Sequence, residues 1–194
     1  MPALQEADVT GSDAIVDSAM EFAGAVAGTA APPEVLEDLC LIDVRYRGFD
    51  GRLHLGQLVV HRELAAEVRE IFARILRWGF PIGRAVPIVR YGWSDELSMA
   101  ADNTSAFNYR LIAGTARLSR HATGRALDIN PLRNPVVHPD GRISPAGAVY
   151  RPGDPGTFAG DGPVVLAFRE RGWSWGGGFS HVCDYHHFEK QGAF

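Results

Sequence analysis

The stretch LIDVRYRGFDGRLHLGQLVV, residues 41–60, alternates apolar and polar side chains on both sides of an Asp-Gly pair. Alternation with a period of two is typical of strands that bury one face. Asp50-Gly51 suits a tight turn that needs a positive φ. The stretch therefore predicts a β-hairpin, and the buried face of this hairpin needs a second layer of structure to cover it.

The segment after the hairpin has a helical pattern. Over residues 61–78 apolar side chains recur three and four positions apart, and Gly79 and Pro81 end the run. This pattern predicts the main helix of the domain, with its apolar face on a sheet. Residues 163–171, with a proline in the first turn and Gly172 at the end, predict a second short helix.

The remaining apolar runs are short and favour strands. Extended structure is expected at residues 87–91, near 124–130, and in 173–179 and 186–190, where the last two flank a glycine-rich turn. Few helices and several short strands predict an α+β domain with a small central antiparallel sheet and flanking helices. The Pro- and Gly-rich connection over 131–162 is too long for a simple joint, so we expect it to form a binding wall.

The Trp-rich run before the last strand allows two interpretations. Trp173 and Trp175 alternate with Ser174, so their side chains share one face, which either packs in the core or lines a cleft. The glycines that follow predict a turn with close backbone approach.

The first 35 residues are expected to form an N-terminal arm, either helical or flexible, before a single domain over residues 36–194. Apolar spacing over residues 12–27 predicts a short amphipathic helix, and a Pro- and Gly-containing break follows at 28–34. The alanine-rich part of this arm is interrupted by acidic residues and preceded by no Lys or Arg, so it lacks the pattern of a signal peptide.

Composition excludes several classes of protein. With 46% hydrophobic and 22% charged residues, the chain can bury a core. A net charge of -4 gives no general attraction for nucleic acid or anionic lipid, and no run reaches the roughly 20 apolar residues of a membrane span. Cys40 and Cys183 are far apart and form no C-x-x-C pair, so neither a thiol zinc module nor a redox pair is expected.

The stretch SRHATGRALDINP, residues 119–131, places a histidine seven positions before an aspartate. On a straight strand His121 and Asp128 would point in opposite directions, so they converge only if the chain bends between them. Gly124 permits such a bend because it tolerates backbone angles that other residues avoid. We therefore expect His121 on a loop and Asp128 on the following strand.

A second cluster lies near the other end of the sequence, where Asp184 precedes His187 by three positions. A tight turn at 184–186 followed by a strand is expected there. Together with His121 and Asp128, His187 supplies two imidazoles and one carboxylate, the ligand mix of catalytic zinc sites that keep a fourth position for water. Asp184 would then lie beside that water as a base.

These residues carry a resemblance to a known family. The signature S-x-H-x-x-G-x-A-x-D is met by Ser119, His121, Gly124, Ala126 and Asp128, and a second signature, an acid three residues before the last His, is met by Asp184 and His187. The sequence resembles the zinc peptidases of bacterial cell-wall peptides: VanY-like D,D-carboxypeptidases, vancomycin-resistance D,D-dipeptidases and L-alanyl-D-glutamate endopeptidases of phage lysins. The likeness covers roughly residues 40–190.

The resemblance implies a metallopeptidase fold of this type, known as the LAS type, with one zinc ion held by His121, Asp128 and His187. It also implies that Asp184 is the general base and that Arg110 holds the substrate carbonyl. The partner is then a peptidoglycan peptide, and we expect the protein to act as a monomer, with neither nucleic acid nor a membrane span involved.

Substrate selectivity is expected to come from Ser105, Thr104 and Ser119, together with the loop over 131–162. Relatives often have Met where this chain has His186, which makes two adjacent histidines candidate ligands. The three-residue offset from Asp184 favours His187, while His186 and His181 stay open for other parts in the site.

The resulting hypothesis is zinc-dependent hydrolysis of a peptide bond in peptidoglycan stem peptides. Two bonds remain open, D-Ala-D-Ala in a carboxypeptidase reaction and L-Ala-D-Glu in an endopeptidase reaction. The alternative is a non-catalytic, zinc-stabilised module that binds the cell wall, and Asp184 argues against it because such a module has no use for a base. The substrate would lie in the cell wall, whereas no signal peptide is visible in the chain.

Overall fold

The structure is a computed structural model that describes residues 14–192. The strands are β1 (Ile15–Val16), β2 (Leu39–Arg47), β3 (Leu53–His61), β4 (Arg84–Ala85), β5 (Asn103–Thr104), β6 (Ala126–Asp128), β7 (Val136–Val137), β8 (Ile143–Ser144), β9 (Trp173–Trp175), β10 (Cys183–Asp184) and β11 (His187–Lys190). The α-helices are α1 (Phe22–Ala25), α2 (Pro33–Glu37), α3 (Ala65–Arg77), α4 (Asp95–Ala100) and α5 (Pro163–Arg169). The described chain thus mixes α and β structure, as the sequence predicts, but its strands form several small sheets and not the one central antiparallel sheet that was expected.

The predicted hairpin is confirmed as β2 and β3. The two strands pair antiparallel from Leu39 opposite His61 to Arg47 opposite Leu53, and Gly51 in the connecting turn has a φ of +77°. Strand β1 adds to the outer edge of β3 in parallel.

The predicted main helix is confirmed as α3, preceded by a 3-10 turn at Arg62–Leu64. Its buried side chains lie three and four positions apart and face the hairpin: Ala65, Val68, Ile71, Phe72 and Ile75. They join buried hairpin residues such as Ile42, Val44 and Leu58 in one core cluster. Burial of this amphipathic face provides most of the stability of a helix of this length.

A second sheet carries the candidate site. Its order is β6-β11-β9, with both pairs antiparallel, and Asp128 lies directly opposite His187. The prediction of final strands around the glycine-rich run is therefore confirmed, as is the short helix α5, whose Phe168 packs edge to face on Trp173. Trp173 and Trp175 are both buried, which decides in favour of core packing.

The Pro- and Gly-rich connection is folded through two short strands. Strands β7 and β8 lie within residues 131–162 and form a three-stranded antiparallel sheet with β10, in the order β10-β7-β8. Cys183 and Asp184 pair with Val137 and Val136. The connection therefore fixes the strand that carries Asp184.

Two secondary-structure predictions are wrong. The helix expected over residues 12–27 is reduced to α1, because Ile15–Val16 forms a strand that pairs with β3, and residues 12–13 lie outside the described residues. The strand expected over residues 87–91 is a 3-10 helix at Ile88–Tyr91, bounded by Pro87 and by Gly92 in the left-handed region. A proline and a left-handed glycine with four residues between them favour a single tight turn over an extended run.

Two further observations on the described residues concern the cysteines and the length of the helices. Cys40 and Cys183 are free thiols. Within residues 14–192, every helix is too short or too polar to traverse a bilayer.

Candidate metal centre

The first candidate ligand lies on a capped turn. His121 belongs to a 3-10 helix at Arg120–Thr123, and the hydroxyl of Ser119 accepts a hydrogen bond from the His121 backbone N–H at 3.2 Å. Gly124 ends the turn with a φ of +65°. A Cβ on Gly124 would lie 2.6 Å from the backbone N of His61, so any other residue would be strained and would also clash. The predicted bend between His121 and Asp128 is therefore confirmed.

Three side chains from separate parts of the chain bring their donor atoms together at this point. His121 Nε2 lies 3.1 Å from Asp128 Oδ2 and 3.2 Å from His187 Nδ1, and His187 Nδ1 lies 3.0 Å from Asp128 Oδ1. Zinc bonds of roughly 2.0–2.1 Å in tetrahedral geometry require donors about 3.3 Å apart. One ligand atom from each of the three side chains lies within 4.8 Å of the other two, so among residues 14–192 these side chains form the group that could hold a metal, and their contacts are close to tetrahedral donor spacing.

Both imidazoles are oriented by their second ring nitrogens. His121 Nδ1 contacts the carbonyl oxygen of Ala106, and His187 Nε2 lies 3.2 Å from Glu189 Oε2. Because carbonyl and carboxylate oxygens only accept, each of these nitrogens donates a proton, so a cation would bind at the other nitrogen of each ring in place of any proton there. Histidine ligands of metals are held in this way by outer partners, so the residues present fit a zinc ion.

Glu189 is a contributor that the sequence analysis missed. It follows His187 by two positions in β11, and residues two apart on a strand share a face. That spacing was a usable signal. The Ala106 carbonyl, in contrast, is a backbone group that no side-chain pattern could reveal.

The electrostatics of the group depend on its burial. His121, Asp128 and His187 are 2, 3 and 8% exposed. Burial lowers the pKa of His187, but hydrogen bonds to Asp128 and Glu189 outweigh it and raise the pKa to about 10. Burial raises the pKa of Asp128, but the neighbouring histidines, His121 foremost, hold it well below its usual range. A positive charge is therefore favoured here, either a proton on an imidazole or a metal cation in its place.

His186 lies next to the group of three candidate ligands. It is buried, its Nδ1 donates to the Asn134 carbonyl at 2.8 Å, and its Nε2 lies 3.1 Å from Asp184 Oδ1 and 3.9 Å from Asp128 Oδ1. The structure therefore brings His187 into the group of three and places His186 between the two carboxylates.

Asp184 lies at the end of β10, directly before the turn at residues 185–186. Its charge contributes to the raised pKa of His187, which requires the two groups to be close. Its Oδ1 is buried and makes no hydrogen bond within the described chain, since the 3.1 Å approach of His186 Nε2 lacks hydrogen-bond alignment. Gly176 packs against this residue, and a Cβ there would lie 2.4 Å from the Asp184 carbonyl oxygen and 3.2 Å from His187 Cβ. The expected close backbone approach at the glycine run is confirmed.

Arg110 forms an ion pair with Asp95, with Nη2 2.8 Å from Oδ2. Its carbonyl accepts a hydrogen bond from the Ser119 N–H at 3.0 Å, which ties its backbone to the turn that carries His121. The Arg110 side chain is about 30% exposed, although its Nε is buried.

The other predicted substrate contacts differ in their surroundings. Thr104 is fully buried, and its hydroxyl accepts from the Asn130 N–H at 3.4 Å. Ser105 exchanges two backbone hydrogen bonds with Asp128, which fixes that candidate ligand from the side opposite β11. The Ser119 hydroxyl caps the turn of His121. His181 is exposed and stacks on Phe179, whose ring centre lies 6.1 Å from that of His187.

Two imidazoles and a carboxylate at metal-binding distance, with a further acid close by, define a candidate metal-dependent hydrolase. Comparison with protein families agrees with this class: residues 113–190 match the model of a family described as D-alanyl-D-alanine carboxypeptidase. The matched segment is less than half of the chain but contains all three donors and Asp184. It confirms the family resemblance of the sequence motifs and supports a peptidase activity. Comparisons with curated proteins and with solved structures gave no significant match.

Proposed function

We propose that this protein hydrolyses a peptide bond in peptidoglycan stem peptides with the help of one zinc ion. The observation that carries the proposal is the trio of His121, Asp128 and His187, with donor atoms 3.0–3.2 Å apart and the second nitrogen of each imidazole bound to an oxygen. The match to a family of D-alanyl-D-alanine carboxypeptidases supports the substrate class.

In this proposal His121, Asp128 and His187 hold the zinc ion and leave a fourth position for solvent. A zinc ion held there would lower the pKa of its water to about 7 and would polarise the scissile carbonyl. The three side chains need no movement to present their donors, because Ala106 and Glu189 already fix the rings.

Asp184 is the proposed general base. Its buried Oδ1 has no hydrogen bond to satisfy it within the described chain, so it is available to accept the proton of the attacking water. The same carboxyl then delivers that proton to the leaving amine. Arg110 is proposed to stabilise the negative charge that develops on the carbonyl oxygen, a role for which removal typically costs about a hundredfold in rate.

The bond cleaved is proposed to be D-Ala-D-Ala, in keeping with the description of the matching family, with L-Ala-D-Glu as the second choice. Thr104, Ser105 and Ser119 stay proposed substrate contacts. Ser105 pairs with Asp128, and Ser119 caps the turn that carries His121. The proposed catalytic unit is a monomer over residues 36–194.

Mass spectrometry of stem peptides incubated with the protein tests the proposal. We expect one new amine-terminated product, whose mass names the bond, together with loss of cleavage in excess chelator and recovery when zinc is added back. Cleavage that persists undiminished in chelator would remove the metal from the mechanism. Zinc binding without any cleavage would instead favour a non-catalytic module of the cell wall.

The Asp184→Asn variant separates the base from the metal site. It should keep its zinc content and lose at least about a hundredfold in turnover, because an amide cannot accept the proton. Unchanged turnover would show that another group serves as the base.

A further inference from the structure

We propose that Asp95 is a positioning residue for catalysis, which holds the guanidinium of Arg110 in the direction of the reacting carbonyl. The inference rests on the proposed function, because it gives Asp95 a part in that reaction. Neither residue pattern nor spacing connects Asp95 to the site; the connection comes from the fold.

The contact itself leaves most of the arginine free. Nη2 of Arg110 lies 2.8 Å from Asp95 Oδ2, which uses one of the five N–H donors of the guanidinium. Nε is buried and has no hydrogen bond to another described residue. An arginine fixed at one nitrogen still presents donors to a second acceptor, so the ion pair is compatible with simultaneous binding of a substrate oxygen.

The backbone around Arg110 is fixed beside the metal-binding turn. The Ala106 carbonyl contacts His121 Nδ1, the Asn108 N–H donates to the His121 carbonyl at 3.0 Å, and the Ser119 N–H donates to the Arg110 carbonyl at 3.0 Å. These contacts place the start of the Arg110 side chain but leave its long, flexible stem undetermined. Asp95 is the group that determines where the head of this side chain lies.

The helix that carries Asp95 is rigidly tied to a zinc ligand. Asp95 begins α4, and the fully buried Asn103 in β5 donates from Nδ2 to Ser98 Oγ in that helix at 3.0 Å. Strand β5 leads directly into Ser105, which exchanges two backbone hydrogen bonds with Asp128. Asp95 and Asp128 therefore belong to one connected frame, and the guanidinium is held relative to the ligand that would carry the cation.

A double-mutant cycle tests the assignment on the zinc-containing protein with the cleaved stem peptide as substrate. We expect Asp95→Ala to lower kcat about tenfold or more with KM changed less than about threefold, because the arginine acts on charge that appears in the transition state. Asp95→Ala added to Arg110→Ala should cost less than about a further twofold, since a residue that acts through Arg110 has no effect in its absence. Asp95→Glu should recover part of the loss.

The matched control is Glu96→Ala, which removes an exposed acid from the next position of the same helix and should leave kcat unchanged. An equal loss from Asp95→Ala with and without Arg110 would overturn the inference, because Asp95 would then act elsewhere. A rise in kcat would also overturn it, because the ion pair would then withhold the arginine. A wild-type protein that cleaves no stem peptide would refute the proposed function itself, which is a different result.

Measurements of thermal unfolding and zinc content show whether each variant is folded and contains its metal. If Asp95→Ala does not fold, the near-isosteric Asp95→Asn takes its place in the cycle. It keeps an acceptor but loses the charge, so we expect a fall in kcat of at least about threefold, absent in the Arg110→Ala background. No fall in a folded, zinc-containing Asp95→Asn protein would refute the positioning role.

Discussion

Removal of Glu189 should weaken zinc binding although Glu189 is not a proposed ligand. Its Oε2 lies 3.2 Å from Nε2 of His187, and this contact keeps a proton on Nε2, so that Nδ1, where the other donors meet, is the nitrogen that would bind the cation. The hydrogen bond to His187 lowers the pKa of Glu189, so this carboxyl is ionised at neutral pH. In Glu189→Ala both the acceptor and the charge are lost, whereas in Glu189→Gln only the charge is lost.

The expected magnitude depends on pH because Glu189 acts in two opposing ways. Loss of an outer partner typically costs about 10–100-fold in metal affinity. Glu189 also raises the pKa of His187. Loss of Glu189 therefore lowers that pKa, and the proton competes less strongly with the metal for His187. Below a pKa of about 10, wild-type affinity should rise about tenfold per pH unit, since one proton leaves on binding. The zinc affinity of the variant stops rising at a lower pH than that of the wild type. The difference in affinity between the two proteins therefore grows from pH 7 to pH 9.

The assay is a competition titration with a chromophoric zinc chelator at pH 7, 8 and 9. At pH 9 we expect about 30-fold weaker binding for Glu189→Ala and about fivefold for Glu189→Gln, within the range of outer-partner effects. Glu34→Gln is the control, because it removes an exposed acid from α2 and changes the net charge equally. Affinity of Glu189→Ala within twofold of wild type at pH 9 would refute the view that Glu189 orients His187.

Three further predictions concern the same site. His187→Ala should lose bound zinc while His186→Ala largely keeps it, and metal analysis showing the reverse would exchange their roles. Gly176→Ala should lower the free energy of unfolding by about 1–3 kcal/mol in denaturant titrations, because its Cβ would meet the Asp184 carbonyl at 2.4 Å; unchanged stability would show that the backbone shifts freely. In the zinc-free protein the raised pKa of His187 stabilises the fold fully below pH 6.5, and this contribution should be lost as pH rises through about 10, lowering the thermal midpoint. A midpoint that does not fall over this range would contradict that pKa.

The sequence predicts local structure well where one period dominates. Alternation gives the hairpin of β2 and β3, and the three- and four-residue spacing gives α3, because one buried face decides each element. The strand expected over 87–91 fails because Pro87 and Gly92 confine the four residues between them to a turn. The predicted helix over 12–27 fails because Ile15 and Val16 gain hydrogen bonds from β3, a partner nearly forty residues away that no local period contains.

The candidate site likewise has one part that the local sequence predicts and one part that depends on tertiary structure. Convergence of His121 and Asp128 follows from Gly124, since one left-handed glycine is enough to reverse the chain between them. The side of Asp128 that meets His187 depends on the register of β6 and β11, which is a tertiary property. The pairing of Arg110 with Asp95 is also a tertiary contact, which the spacing of the two residues in the sequence does not indicate.

The pairing of Asp128 with His187 across β6 and β11 also sets an order of events during synthesis. On the ribosome, His121 and Asp128 emerge long before His187, and two donors alone hold a metal ion far more weakly than three. If the proposed centre binds zinc, tight capture of the ion would wait until β11 has joined the sheet. A nascent chain stalled before that strand would bind metal weakly. Metal binding at the proposed centre would then indicate that β11 has paired with β6.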